Sequence, residues 1–239
     1  MNSHSNGAGS RRSIPILVVG VWLWFGSIAG FAQEWPADRA PDELKIATWN
    51  LEWFFDDIKE NNRSDVAKEQ SAPNRAEWEW RVGHFAAAIA KFQPTILAVQ
   101  EIEDRNVMQE LTKGLKEQFQ LSYRVAFIDG YDSGTEQDVA VLYRSGLVEL
   151  ARREQNYSQF SSRDFYNLSK HLITRFEWQH GDRVVPLTLL TLHLRATADA
   201  ADLRRKQCKL AHEWMRKGIQ RGRSEEHTSE LQSQFRISY

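Results

Sequence analysis

Four polar residues break into otherwise apolar, strand-like segments of this chain: Asn50, Glu101, Asp138 and His193. Glu101 follows Ile96, Leu97, Ala98 and Val99 in TILAVQEIED, Thr95 to Asp104. A carboxylate at the end of a strand covered on both faces is costly to bury unless something cationic meets it, so a metal ion is a natural partner. A solvated strand end accounts for the same residues, because loops after strands are ordinarily polar. His193 sits between Leu192 and Leu194, where a histidine is more often a satisfied core residue than a functional one. Asn50 stands at the end of LKIATWNL, and Asp138 opens DVAVLYR.

The elements that must position these residues follow from periodicity. Leu44 to Leu51 alternates as a strand, and Glu52 to Asn74 is charged and aperiodic, which predicts a surface loop. From about Arg75 to Phe92, the residues Trp78, Val82, Phe85, Ile89 and Phe92 recur at helical spacing; they form a buried stripe, with an aromatic platform for bases as the alternative. Pro94 ends that pattern before the TILAVQEIED strand. Asn106 to Phe119 is a second helix, Leu121 to Ile128 a strand, and DGYDSGTEQ, Asp129 to Gln137, a loop near the site whose spacing does not match a calcium-binding hand loop. Strands follow at Asp138 to Arg144 and Leu147 to Ala151, then an aperiodic stretch from Arg152 to Ser169. Lys170 to Trp178 and Val184 to Arg195 flank a Gly181–Asp182 turn as a hairpin, and Asp199 to Gly218 is a helix burying Leu203, Leu210, Trp214 and Met215.

With 239 residues, 41% of them hydrophobic, the chain can build one sizeable core. A formal net charge of −1 excludes a global attraction to polyanions, so such binding needs a local patch or a bound cation. Cys208 is the only cysteine, which excludes an intrachain disulfide framework and a multi-cysteine zinc site; it reads as a packed small apolar residue. Arg11 and Arg12, the apolar block Ile14 to Phe25 and small residues up to Ala32 form a secretory signal pattern, which predicts cleavage after Ala32 and a periplasmic or secreted product that meets the membrane only during export. An uncleaved anchor is the alternative, for which the block is short. At the other end, RSEEHTSELQS and ISY resemble, in order, two constant segments of a translated short-read sequencing adapter. The expected organisation is a signal peptide at 1–32, a leader at 33–43, a domain at 44–222 and a non-native tail at 223–239.

In order, KIATWNLEWF, ILAVQEIED, DVAVLYR and TLHLRA resemble the first two-thirds or so of the endonuclease/exonuclease/phosphatase family, the metal-dependent phosphoesterases related to DNase I. The resemblance covers roughly residues 44 to 215. It implies an α/β fold, a four-layer αββα sandwich whose second sheet is incomplete here. It also implies Glu101 as a Mg²⁺ ligand, with Mn²⁺ or Ca²⁺ as substitutes, and Asn50 as its neighbour orienting the metal or the scissile phosphate. His193 would contact the phosphate or protonate the leaving oxygen, and Asp138 would hold that histidine and raise its pKa. The family's later Gly-Asp-x-Asn and Ser-Asp-His segments do not occur in this sequence, which predicts a C-terminally truncated and inactive chain. The implied substrate is nucleic acid or another phosphodiester, with no stable protein partner. A phospholipid or sugar-phosphate phosphatase, or a non-catalytic binder on the same scaffold, are the alternatives.

Overall fold

Hydrophobic alternation sets the core of the chain. In the computed structural model, residues 43–153 and 168–225 are described, with side chains through 218. Two compact units divide the chain, Met1–Phe31 and Ala32–Tyr239, and every described residue belongs to the second. The signal pattern, its cleavage point, most of the 152–169 stretch and the adapter-like residues from 226 on lie outside the described residues.

The first sheet holds β1 (Ile46–Phe54), β2 (Ile96–Ile102), β3 (Arg124–Ala126) and β4 (Asp138–Tyr143), in the order β1-β2-β4-β3. β2 pairs parallel with β1 and antiparallel with β4. Its apolar run is buried on both faces because the two faces meet different cores. Leu97 and Val99 join Trp78, Val82, Ile89, Leu111 and Leu115 under two helices, while Ile96 and Ala98 meet Leu172 and Phe176 of the other sheet. Three helices precede or flank these strands: α1 (Asp65–Gln70), α2 (Arg75–Phe92) and α3 (Arg105–Phe119). The Asn74 side chain accepts from Glu77 N–H to start α2, and Asp104 accepts from the N–H groups of Asn106 and Val107 to start α3.

The second sheet is the antiparallel set β5 (Leu147–Ala151), β6 (His171–His180) and β7 (Arg183–Leu192). Leu187 and Leu189 of β7 pack inward with Phe176, whereas Leu190, Leu192 and Leu194 pack outward against Leu210, Ala211 and Trp214 of α4 (Ala201–Glu225). Helices, sheet, sheet and helix thus stack in the four-layer αββα order expected of the chain. No helix among the described residues is long and apolar enough to cross a membrane.

Several local expectations change. β1 runs past Asn50 to Phe54, and the segment after it is no simple surface loop: Phe54, Phe55 and Ala72 are buried, and α1 forms within it. Phe92, expected in the buried stripe, is 72% exposed, because it is the last residue of α2 and Gln93 turns left-handed directly after it. Only Arg124–Ala126 of the expected 121–128 strand is paired. Cys208 is exposed rather than packed, since α4 buries the face that carries Gln207, Leu210, Ala211 and Trp214.

Candidate active site

Strand parity alone would aim Glu101 with Leu97 and Val99 toward the helices. A bulge prevents this: Gln100 pairs with Val139 and Ile102 with Asp138, so Glu101 is an extra residue on β2. β1 is irregular at the same level, between Asn50 and Phe54. Glu101 sits at φ 60° in the left-handed region, a conformation that costs a non-glycine residue about 1–2 kcal/mol. In return its carboxylate emerges on the face that looks toward the second sheet. There Asn50 Nδ2 donates to Glu101 Oε1 at 2.8 Å, and His193 Nε2 lies 3.2 Å from the same oxygen. Asn50 Oδ1 accepts from Glu52 N–H at 3.0 Å, which fixes the orientation of the amide.

His193 lies just beyond β7, and its N–H donates to the carbonyl of Lys170 at 3.1 Å. Lys170 is a site residue that sequence reasoning missed. It is buried, and its ammonium meets Asp132 at 2.8 Å, Gln137 at 2.8 Å and Thr135 at 2.9 Å, which ties the 129–137 loop to the start of β6 beside His193. A lysine opening a strand looks like a solvated end in sequence. The one available signal was the concentration of acceptors in DGYDSGTEQ, for which some buried cation had to exist.

Two expectations about the histidine are corrected. Asp138 does not hold it: one carboxylate oxygen of Asp138 accepts from Gly130 N–H at 2.9 Å, and His193 Nδ1 is buried with no hydrogen-bond partner among the described residues. A Cβ at position 130 would lie 1.8 Å from the Asp138 carboxylate, so only glycine permits this approach. Nor is the imidazole pKa raised. Burial lowers it, the Lys170 charge lowers it further, and Glu101 and Asp132 only partly oppose them. Asp138 itself is pushed up to about 7 by burial, against the Gly130 hydrogen bond and the charge of Arg152. Glu103, which accepts from Asp56 N–H at 2.8 Å, is also raised to about 7 by burial.

Asn50, Glu101 and His193 therefore converge, while Asp138 stands apart on the bonds that anchor the loop. A magnesium ion suits this donor set. Among the described residues no three His, Cys, Asp or Glu side chains gather into a cage, and magnesium needs none, since it keeps waters and takes few carboxylates. Glu101 is buried, and its ion-pair partner among the described residues is His193 rather than a lysine or arginine, which leaves a carboxylate suited to a cation from solution. Asn50 Oδ1 has one lone pair beyond its bond to Glu52.

No family model and no curated protein matches the sequence. Among solved structures, the chain is similar to the endonuclease/exonuclease/phosphatase from Bacteroides vulgatus at 14% identity and a TM-score of 0.48, covering 74% of this chain and 61% of that one. It is likewise similar to humanized D. rerio TDP2 at 16% identity and a TM-score of 0.46, covering 74% and 57%. A mannosyl-6-phosphatase from Bacteroides thetaiotaomicron aligns at 16% identity and a TM-score of 0.43, covering 73% and 60%. The chain spans less than two thirds of the length of each of these proteins.

Proposed function

We propose that this chain carries the metal-binding part of a phosphoesterase site of the endonuclease/exonuclease/phosphatase type, nuclease-like and acting on phosphodiesters. The observation that carries this reading is the bulge at Glu101, on which side chains from β1 and from the end of β7 converge. Glu101 would hold Mg²⁺, with Mn²⁺ or Ca²⁺ able to use the same oxygen. The bound cation would supply neutralisation of the negative charge that gathers on a phosphoryl group. Asn50 fixes the carboxylate through its amide. His193 presents Nε2 beside that carboxylate, placed to hydrogen-bond a phosphoryl oxygen or to protonate a leaving one. Lys170 anchors the loop that walls the site; all three of its N–H donors are spent on Asp132, Thr135 and Gln137, so it positions rather than binds.

Manganese binding followed by electron paramagnetic resonance tests the reading. Glu101→Gln is expected to weaken Mn²⁺ binding at least tenfold; an unchanged affinity would sink the metal site. Because Gly-Asp-x-Asn and Ser-Asp-His do not occur in the sequence, we expect the 239-residue chain to bind the ion without appreciable turnover of bis(p-nitrophenyl) phosphate. Glu101-dependent hydrolysis of that diester would overturn the expectation of inactivity while supporting the site. We also propose export of the chain, for which N-terminal sequencing of the secreted product should begin at Gln33.

A further inference from the structure

A second feature lies at the end of β1, beside the residue whose amide holds Glu101. Between the end of β1 and the exposed face of α2 lies a cleft of about 240 Å³, lined by Glu52, Trp53, Gln70, Trp80, Arg81 and Phe85 among others. Trp80 is 57% exposed, which leaves a large apolar ring in water at a cost that a stacking partner would remove. The ring is held: His84 lies against it with centroids 4.0 Å apart, and His84 Nδ1 is 2.8 Å from the Trp80 carbonyl oxygen. On the β1 side, Glu52 and Trp53 are both left-handed, at φ 50° and 57°, and Arg81 Nη1 donates to the Trp53 carbonyl at 3.4 Å. Two consecutive non-glycine residues in that region are retained against a cost of about 1–3 kcal/mol each, and they are the residues that shape the cleft wall.

The cleft is also joined to the candidate site by a short relay. Glu52 lines the cleft, its N–H bonds to the Asn50 side chain, and that side chain bonds to Glu101. We propose that the cleft seats a nucleobase of the substrate whose phosphate is bound at Glu101, with the base stacked on Trp80 and its edge met by Arg81, Gln70 or Glu52. Stacking platforms accept any base because every base has a π face, and the polar rim supplies both donors and acceptors. This rests on the phosphodiesterase reading, and it sharpens that reading: a sugar phosphate or phospholipid headgroup has no planar ring to fill such a cleft.

Ligand-observed NMR titrations of the full chain in Mg²⁺ test it, with adenosine, adenosine 5′-monophosphate and ribose 5-phosphate as probes. Adenosine and its monophosphate should both bind, and Trp80→Ala should weaken both about tenfold or more, whereas Trp80→Phe should restore most of the loss. Ribose 5-phosphate should bind weakly and be indifferent to Trp80→Ala. Glu101→Gln should weaken the two phosphates and leave adenosine unchanged. Adenosine that fails to bind, or that binds Trp80→Ala as well as the parent, overturns the base site. If instead the phosphates ignore Glu101→Gln while adenosine still depends on Trp80, the metal site fails and the base site stands. Trp80 is exposed, so the substitution should leave the thermal midpoint within about 2 °C of the parent, and that check is made on the same samples.

Discussion

Glu101 is held in a conformation its side chain disfavours, and the cost is separable from its chemistry. Glu101→Ala removes the carboxylate and keeps the left-handed backbone, whereas Glu101→Gly removes both the carboxylate and the strain. We expect Glu101→Gly to be more stable than Glu101→Ala by about 1–2 kcal/mol in urea unfolding. Equal midpoints would mean that the bulge stores no strain at this residue. Asp138 offers a second test at this scale. Its folded pKa of about 7 lies above the ordinary carboxyl value of 3.8, so the folded state keeps a proton that the unfolded chain releases. The stability it contributes is full below the unfolded pKa and is lost as pH rises from about 4 through about 7. Asp138→Asn keeps an oxygen for Gly130 N–H and cannot ionise, so the variant should gain stability over the parent at pH 8 and not at pH 4. These residues differ in how far sequence exposes them. Glu101, Asn50 and His193 stand out because each interrupts apolar strand residues. The bulge that joins them is invisible, because nothing in the string QEI marks a left-handed glutamate. The partner of Asp138 is invisible too, since chain order does not say which carboxylate meets which donor.

At the scale of elements, two buried groups tie loops and helices to the sheets. Lys170 and Asp132 form an ion pair at 2.8 Å with side chains 11% and 19% exposed. Lys170→Met strands Asp132 and two polar acceptors, and should destabilise the protein by about 3 kcal/mol. Hydrogen exchange should quicken in residues 129–137 first, and Asp132→Asn in the same chain should recover part of the loss. His171 does similar work on the other side of the second sheet. Its Nε2 accepts from Arg153 N–H at 3.0 Å, its Nδ1 meets the Leu168 carbonyl, and its ring lies 4.9 Å from that of Trp214 on α4. Burial lowers its pKa to about 4 from the ordinary imidazole value of 6.5. Here the unfolded chain binds the proton first, so this stability is present above about 6.5 and is lost as pH falls through about 4. Lowering pH from 7 to 4.5 should therefore reduce amide protection factors, corrected for the intrinsic pH dependence of exchange, in α4 before it reduces them in β2. The hairpin was legible because both strands alternate around a Gly-Asp turn, and Gly181 takes the positive φ such a turn needs. The continuation of β1 and the helix α1 were not, because Phe54, Phe55 and Ala72 lie among charged residues that hide any period.

For the whole molecule, the four-layer expectation came from the resemblance of the four ordered segments, since apolar runs and helices with one apolar stripe indicate alternating strands and helices but no particular layering. The resemblance implies an incomplete second sheet but not which strand stands at its edge. Among the described residues β7 pairs only with β6, so no described strand covers its other edge, and Val184 and Val185 of β7 are 47% and 40% exposed. Such an edge is a template for another strand. We expect self-association of the 239-residue chain at tens of micromolar by light scattering, reduced by Val185→Lys; a monodisperse parent chain at that concentration would refute this.

The strain at Glu101 also has a population-level consequence. In a lineage where phosphoryl chemistry is under selection, position 101 is pinned to a carboxylate despite its backbone. Where that selection lapses, stability alone favours glycine there, so drift should run from Glu to Gly while Leu97 and Val99 stay apolar. Position 101 would then serve as a reporter of retained activity among descendants of the same gene.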